Sequence, residues 1–288
     1  MKNVFTFLLL LFSLLCNGQS PKLFTTDKEL SSSLINQIYQ DRNGFIWIAT
    51  EDGLNRYDGA KFTIYKHEPN NEHSLAHNFV RTVFEDSKGH LLIGTYIGIQ
   101  MYDPATDNFT PLAKLEDTGE TLESNINSFI ERKNGEIWVS GNVLCKLDIK
   151  DHLLTVRKVD IAVTSPGSLF EDKKQNVWMA KGEEGVYQLT PDNQLTLHLS
   201  KDNGYVKSIC EDQRGNIYVG SIRKGLFIYD KERKTFVPID LKEKGELPVC
   251  FLYSGIPNEL YIGTDGKGVV IYNIRTHEIS EYKFDNNY

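Results

Sequence analysis

Short apolar segments alternate with polar turns along the chain, and one pattern recurs throughout. Its first copy, Asp41–Asp58, has the order turn, strand, short loop and second strand. The anchor residue of this pattern recurs every 40–46 residues, at Trp47, Leu92, Trp138, Trp178, Tyr218 and Tyr261. A fixed period in this range indicates a repeat architecture, in which each copy buries its apolar face against its neighbours.

The apolar positions also indicate how the strands pack. The first strand of each repeat carries paired apolar residues, as in Ile38-Tyr39 and Ile209-Cys210, which is typical of a strand buried on both faces. Helical periodicity is absent outside the first 20 residues. Four short antiparallel strands per repeat, arranged radially, predict an all-β fold, a β-propeller of four-stranded blades. The six repeats are expected at about residues 34–77, 78–124, 125–165, 166–204, 205–248 and 249–288.

The N-terminus has the pattern of a secretory signal peptide, predicted for residues 1–18. Lys2 precedes the apolar segment Val4–Leu15, and a small-x-small motif ends before Gln19. Lipid attachment at Cys16 is the less favoured alternative, because a large residue precedes it. The chain is therefore expected to be exported, and no later segment is apolar and long enough to span a membrane.

Residues 19–33 resemble the fourth strand of a repeat and are expected to close the last blade. Repeat six has an outer strand of its own, Glu278–Phe284. The N-terminal strand is therefore assigned to a seventh blade, whose other strands would lie beyond Tyr288. On this interpretation the chain is a fragment or truncated product, an incomplete seven-bladed propeller whose open edges favour association.

An Asp-x-x-Gly turn precedes the anchor strand in several repeats. Asp41-x-x-Gly44 recurs as Asp86–Gly89 and Asp212–Gly215, where glycine supplies the positive φ of a tight hairpin and aspartate bonds the backbone ahead. One carboxylate per turn is too few for calcium, so a structural role is favoured. Repeat three has Arg132 in place of the aspartate, which is expected to loosen its turn without changing the fold.

Composition excludes several classes of function. The formal charge of -7, without a stripe of lysine and arginine, argues against nucleic acid as a partner. Three cysteines remain after signal cleavage, Cys145, Cys210 and Cys250, which are too few for a disulfide framework. Cys210 lies in a strand pattern and is expected to be a buried apolar thiol.

Catalytic and metal-binding patterns are weak. Neither Gly-x-Ser-x-Gly nor His-Glu-x-x-His occurs, and the carboxylates lie mostly in turns. A metal site at His67, His73 and His77 is less favoured than three polar loop histidines. We therefore predict no catalytic residue, no metal and no cofactor.

The repeat resembles that of the two-component regulator propeller family. The resemblance rests on Asp41–Thr50, with Gly53-Leu54, Tyr57-Asp58 and Phe62 after it, and similar residues recur in later repeats. It covers about residues 22–288. In that family such propellers are periplasmic sensor regions of hybrid histidine kinases and commonly detect oligosaccharides. A second propeller, a membrane helix and a kinase follow them. This chain contains no kinase motif.

The resemblance implies a non-catalytic periplasmic sensor that recognises an oligosaccharide, with downstream sensor-kinase modules as partners. Saccharides are bound by aromatic platforms with planar polar partners. Loops between the second and third strands share one face of a propeller, and there we predict the ligand-binding residues Glu51, Tyr96, Arg223 and Asp265. A secreted propeller lyase or glycosidase, and a protein-interaction scaffold, are the alternatives. The tryptophans have a fixed repeat phase and are assigned to the core.

Overall fold

The computed structural model describes residues 23–27, 29–199, 204–241 and 247–282, so the predicted signal peptide lies outside it. Within these residues there is no helix, and the strands form six consecutive sheets. Blade 1 contains β1 (Ile35–Gln40), β2 (Ile46–Thr50), β3 (Gly53–Tyr57) and β4 (Phe62–Tyr65). Blade 2 contains β5 (Val80–Glu85), β6 (Leu91–Thr95), β7 (Ile99–Asp103) and β8 (Asn108–Phe109).

The remaining blades repeat this order. Blade 3 contains β10 (Ser128–Glu131), β11 (Ile137–Ser140), β12 (Leu144–Lys150) and β13 (Leu153–Lys158), and β9 (Lys114–Leu115) joins it. Blade 4 contains β14 (Leu169–Glu171), β15 (Val177–Lys181), β16 (Gly185–Leu189) and β17 (Leu195–Leu199). Blade 5 contains β18 (Val206–Glu211), β19 (Ile217–Ser221), β20 (Gly225–Asp230) and β21 (Thr235–Pro238). Blade 6 contains β22 (Val249–Tyr253), β23 (Glu259–Thr264), β24 (Val269–Asn273) and β25 (Ile279–Glu281).

The predicted all-β propeller of four-stranded antiparallel blades is confirmed, with six blades described. Blade 3 gains one more strand, because β9 leaves the connection after blade 2 and pairs in parallel with β13. The first strands of blades 1, 2, 5 and 6 each carry a β-bulge near their start. A bulge leaves one residue unpaired and turns its side chain away from the sheet.

The turn aspartates connect each turn to its anchor aromatic residue. Asp172 Oδ1 accepts hydrogen bonds from the backbone N–H groups of Lys174 and Asn176, both at 2.9 Å. Its Oδ2 accepts from Asn176 Nδ2 at 2.7 Å and from Trp178 Nε1 at 2.9 Å. Asp41 accepts from the indole nitrogen of Trp47 in the same way, at 2.8 Å. The structural interpretation of these aspartates is confirmed.

Blade 3 replaces this carboxylate with another. Arg132 occupies the aspartate position, and Trp138 Nε1 donates instead to Glu136 Oε2, at 3.1 Å. Burial opposes ionisation of Glu136, but hydrogen bonds from Lys146, Trp138 and Asn134 lower its pKa to about 2. The turn therefore keeps a carboxylate for its tryptophan, and the expectation that the fold is unchanged is confirmed.

The anchor residues form the cores between blades. Five of them are at most 3% exposed: Trp47, Leu92, Trp138, Trp178 and Tyr218. Each belongs to an apolar cluster with the next blade, and these five clusters join blades 1 to 6 in sequence. The prediction that the three tryptophans are core residues is confirmed, so they are not platforms for a sugar.

A glutamate at the end of the first strand links four of the blades to the blade before. Its carboxylate accepts a hydrogen bond of 2.7–3.1 Å from a backbone N–H in the preceding turn; the donor–acceptor pairs are Arg42–Glu85, Ser87–Glu131, Lys133–Glu171 and Lys173–Glu211. Hydrogen bonds from backbone N–H groups to a charged acceptor are stronger than neutral ones. The turns are thus occupied by bonds that hold the ring together.

Two apolar faces lie open at the ends of the series of blades. Phe251 and Tyr253 of blade 6 are 61% and 51% exposed, whereas the corresponding Ser208 and Cys210 of blade 5 are both 7% exposed. Ile38 of blade 1 is 61% exposed, whereas the corresponding Val83 is 1% exposed. In the described parts of the chain, no apolar cluster joins blade 6 to blade 1. A further blade between them would cover both faces, and the seventh blade stays a prediction.

The N-terminal segment packs on blade 1. Residues 23–27 and 29–33 form no strand. The ring of Phe24 lies 5.1 Å from that of Tyr57 and 5.0 Å from that of Phe62, and Ser31 N–H donates to Asn55 Oδ1 at 2.9 Å. A strand needs a partner sheet, so the closing role of residues 19–33 also stays a prediction.

Candidate functional site

The strand order gives the propeller two distinct faces. The turns between first and second strands lie on one face, which we call the turn face. The loops between second and third strands, and the connections between blades, lie on the other, which we call the loop face. The hydrogen bonds described above occupy turns of the turn face, whereas the predicted ligand-binding residues belong to the loop face.

The four predicted ligand residues lie on the loop face in four different blades, each in the loop that follows the second strand. There the loop after the second strand bonds the residue that precedes the first strand, with N–H···O distances of 2.9–3.1 Å; the pairs are Glu51–Leu34, Tyr96–Phe79, Ile222–Tyr205 and Asp265–Pro248. Arg223 follows Ile222 directly. Among the described residues, no hydrogen bond, ion pair or ring contact joins any two of the four predicted residues, so a ligand common to them stays a prediction.

The charged groups on this face form exposed pairs. Arg223 Nη1 lies 3.0 Å from Glu183 Oε1, and their side chains are 66% and 63% exposed. Such pairs contribute about 0–1 kcal/mol and exchange readily for another partner. Beside Glu51, Asp52 binds Lys66 Nζ at 2.6 Å and Asn78 Nδ2 at 3.0 Å, so it fixes the loop.

Tyr96 presents an aromatic surface on this face. It is 53% exposed, and its ring centroid lies 5.6 Å from that of His77 and 6.1 Å from that of Phe79. His77 Nδ1 accepts a hydrogen bond from the backbone N–H of Phe79 at 2.9 Å. The ring proton of neutral His77 is therefore on Nε2. The cluster combines an exposed ring with a hydrogen-bond donor.

Two further residues on this face were missed by sequence reasoning. Arg81 is the bulged residue of β5, and its guanidinium carbon lies 5.2 Å from the centroid of the Phe79 ring. Asn125 lies where the chain enters blade 3. Arg81 is a charged residue within the apolar segment Val80–Phe84, and this contrast was the available signal.

Two recesses lie away from the Tyr96 cluster. One of about 780 Å³ is on the turn face, lined by residues such as Arg42 and Glu85, which already form an ion pair at 2.6 Å. The other, of about 710 Å³, lies beside the outer strands of blades 2 and 3. Leu112 and Leu153 line it, without any Phe, Tyr or Trp. Neither recess therefore combines an aromatic platform with unpaired polar groups.

The three cysteines in the described part of the chain, Cys145, Cys210 and Cys250, are free thiols. Cys145 and Cys210 are 2% and 7% exposed, which confirms the prediction of a buried thiol at Cys210. Burial raises the pKa of Cys145 to about 11 and that of Cys210 to about 12. Both thiols are therefore protonated at neutral pH and unreactive.

The described residues include no group of three His, Cys, Asp or Glu side chains placed to hold a metal ion. His67 and His73 each lie within hydrogen-bond distance of a backbone oxygen, at 2.9 and 3.2 Å. The same part of the chain contains no helix with the length and hydropathy of a membrane span.

Comparison with known proteins identifies the repeat. Residues 29–52, 74–96 and 200–223 match the two component regulator propeller family. A segment of 83 residues is 37% identical to Histidine kinase P4 of Formosa agariphila, and it covers 26% of this chain and 6% of the kinase.

Solved structures show the same architecture. The extracellular domain of the hybrid two-component system BT3049 of B. thetaiotaomicron matches with a TM-score of 0.77 at 22% identity, over 92% of this chain and 37% of that one. The corresponding domain of BT4673 matches with a TM-score of 0.74 at 17% identity, over 93% and 39%. Virginiamycin B lyase of Staphylococcus aureus matches with a TM-score of 0.68 at 12% identity, over 93% and 89%.

At these identities the structural likeness shows the fold, and the chain spans well under half of the sensor proteins. The repeat pattern, the six blades and the family match agree with one another. The chain is a β-propeller, and three of its segments match the two component regulator propeller family.

Proposed function

We propose that this propeller is the ligand-recognition part of a periplasmic two-component sensor, and that it binds an oligosaccharide without altering it chemically. The observation that carries the proposal is the match of three segments to the two component regulator propeller family, on a fold like that of extracellular domains of hybrid two-component systems. The chain resembles those domains over nearly its whole described length.

The distribution of differences between the blades supports recognition at the loop face. The turn aspartates, the anchors and the linking glutamates perform the same structural task in successive blades. The loops after the second strands differ instead, and carry Glu51, Tyr96, Arg223 and Asp265. A mixture of an exposed ring, carboxylates and a guanidinium suits the apolar faces and hydroxyl groups of a sugar.

An enzyme of the propeller class is the second candidate. Its support is the likeness to virginiamycin B lyase, which at 12% identity concerns the fold. On the loop face the ionised contacts are pairs of opposite charge, such as Arg223 with Glu183 and Lys181 with Glu184. A general acid and base need a different arrangement, with pKa values that their surroundings displace. Binding without turnover is therefore the better-supported proposal.

The partners follow from the same proposal. In an intact sensor, the bound state of this propeller would pass to a second propeller or to downstream kinase modules. The predicted signal peptide at residues 1–18 supports a periplasmic location. The acidic composition supports a partner other than nucleic acid.

A thermal-shift screen with oligosaccharides tests the proposal. Ligand at 100 times its Kd stabilises a protein by about 2.7 kcal/mol, which corresponds to roughly 5–10 °C in Tm for a domain of this size. We expect at least one saccharide class to give such a shift and to be recovered intact by mass spectrometry. Recovery of a cleaved or eliminated product would favour the lyase or glycosidase instead. No shift with any saccharide would contradict the proposal.

A further inference from the structure

Two buried polar atoms on the loop face lack partners. Among the described residues, Arg81 Nε and Asn125 Oδ1 are the side-chain nitrogen and oxygen atoms buried without a hydrogen bond. Buried polar atoms in folded proteins are almost always paired, because desolvation without a partner is unfavourable. Arg81 lies in the first strand of blade 2, and Asn125 lies where the chain enters blade 3.

A backbone hydrogen bond places Asn125 next to the loop that carries Tyr96. The N–H of Ile126 donates to the carbonyl oxygen of Thr95 at 3.0 Å. Asn125 and Tyr96 are the chain neighbours of these two residues, so they flank a single hydrogen bond. The amide with the unpaired oxygen therefore lies at the edge of the Tyr96 loop.

Arg81 is attached to the same loop. The N–H of Tyr96 donates to the carbonyl oxygen of Phe79 at 3.0 Å, and Arg81 stacks over the Phe79 ring. At the corresponding bulge of blade 1, Asn36 Nδ2 donates to the Val80 carbonyl at 2.8 Å. Arg81 makes no hydrogen bond or ion pair with any described residue. Its charge is thus held in place by an aromatic ring but left uncompensated.

His77 adds a donor. Its Nδ1 is engaged by the Phe79 N–H, so Nε2 carries the proton. Nε2 makes no hydrogen bond within the described part of the chain, and the ring lies 5.6 Å from that of Tyr96. A donor is therefore available beside the exposed aromatic surface.

From this arrangement we propose that the rim of blades 2 and 3 is a subsite for an acidic sugar, a uronic acid residue of an oligosaccharide. The sugar ring lies on Tyr96, and its carboxylate binds the Arg81 guanidinium. The Asn125 amide and His77 Nε2–H bind its hydroxyl groups. This inference rests on the proposed function and adds the chemical class of the ligand.

The chemistry of each group matches that class. A guanidinium binds a carboxylate through two parallel hydrogen bonds, which fixes orientation as well as charge. An exposed aromatic ring accepts the apolar face of a sugar. A neutral sugar would leave Arg81 unpaired, and sites with unpaired polar groups discriminate strongly against such ligands. A sulfate ester presents similar anionic oxygens, so the test includes it.

Isothermal titration with three uronic acid trisaccharides, of galacturonic, glucuronic and mannuronic acid, tests the proposal. Each is compared with its methyl ester, which removes the charge and keeps the ring. We expect at least one acid to bind at least tenfold more tightly than its ester. Arg81→Gln should weaken that binding by about 10- to 100-fold, the effect of losing a charged hydrogen bond. Lys207→Gln makes the same charge change at the corresponding bulge of blade 5 and should leave affinity unchanged.

The remaining outcomes separate the two proposals. An acid and its ester binding equally well would overturn the acidic subsite and leave oligosaccharide recognition standing. If only a sulfated galactose trisaccharide bound, and Arg81→Gln lost that binding, the anionic group would be a sulfate. That result would overturn the uronic acid assignment. Equal affinity of wild type and Arg81→Gln, at unchanged Tm, would also overturn it. No binding of any saccharide would overturn both proposals.

Discussion

Removal of the Asp172 carboxylate tests how each repeat is held together. The side chain is 5% exposed and accepts four hydrogen bonds from backbone and side-chain donors. Asp172→Ala would remove the acceptor of the Trp178 indole N–H and of the Asn176 side-chain amide. Both residues are buried, at 1% and 9% exposed. A buried donor left unpaired costs about 1–3 kcal/mol, so two cost about 2–6 kcal/mol. Of the two backbone donors, the N–H of Lys174 lies in the exposed part of the turn and can bond to water, whereas the N–H of Asn176 is buried and adds to this loss.

Urea unfolding, followed by tryptophan fluorescence and repeated on refolding, measures this loss. Asp58→Ala is the matched control, because Asp58 Oδ1 accepts two backbone N–H bonds in an exposed turn, from Ala60 and Lys61. We expect the control to lose about 1 kcal/mol or less. Equal losses in the two variants would refute the reasoning that the buried carboxylate–indole bond stabilises the blade. A rise in stability on adding calcium, lost in Asp172→Ala, would instead make the turn a cation site.

Three further predictions concern titration, association and thiol chemistry. Burial opposes ionisation of Glu136, but its hydrogen bonds lower its pKa to about 2, from the ordinary value of 4.5. Its stabilising effect is therefore complete above about pH 4.5 and lost as the pH falls through about 2, so Glu136→Gln should flatten urea stability profiles in that window. The open apolar faces predict that the purified chain self-associates. Light scattering should show less association for the double variant Ile38→Ser, Phe251→Ser. A wild type that stays monomeric and highly stable would contradict this prediction. Cys250, which is partly exposed, should react with a thiol reagent at pH 8 while Cys210 stays unreactive until unfolding, and simultaneous reaction would contradict its burial.

Much of the fold could be predicted from the sequence because each of the six repeats packs an anchor residue in the same way. The fixed spacing of anchors such as Trp47 and Trp178 predicted both the blades and the burial of the tryptophans. The fifth strand of blade 3 could not be predicted. Lys114–Leu115 is only two residues long, and its pairing depends on where the connection from blade 2 passes.

The sequence could predict which loops lie on the loop face, but not which other side chains surround them. Tyr96 was identified because the loop position follows from the repeat phase, and the structure gives it a half-exposed ring. Arg81 was not, because a bulge decides where its side chain lies and a one-residue shift in register is not visible in the pattern. Asn125 was missed because an unpaired amide oxygen is a property of three-dimensional surroundings.

Hydrogen exchange with and without a bound oligosaccharide tests the central claim. The claim is that the loop face binds the ligand and that the turn face holds the blades together. The probe is the saccharide that gives the largest thermal shift. We predict that it slows exchange in the segments 77–81, 95–98 and 124–127 of blades 2 and 3. The turn segments 41–45 and 172–176 should exchange at unchanged rates, because their N–H groups are already held by the turn aspartates. Protection confined to the turn face, with the loop segments unaffected, would contradict the account.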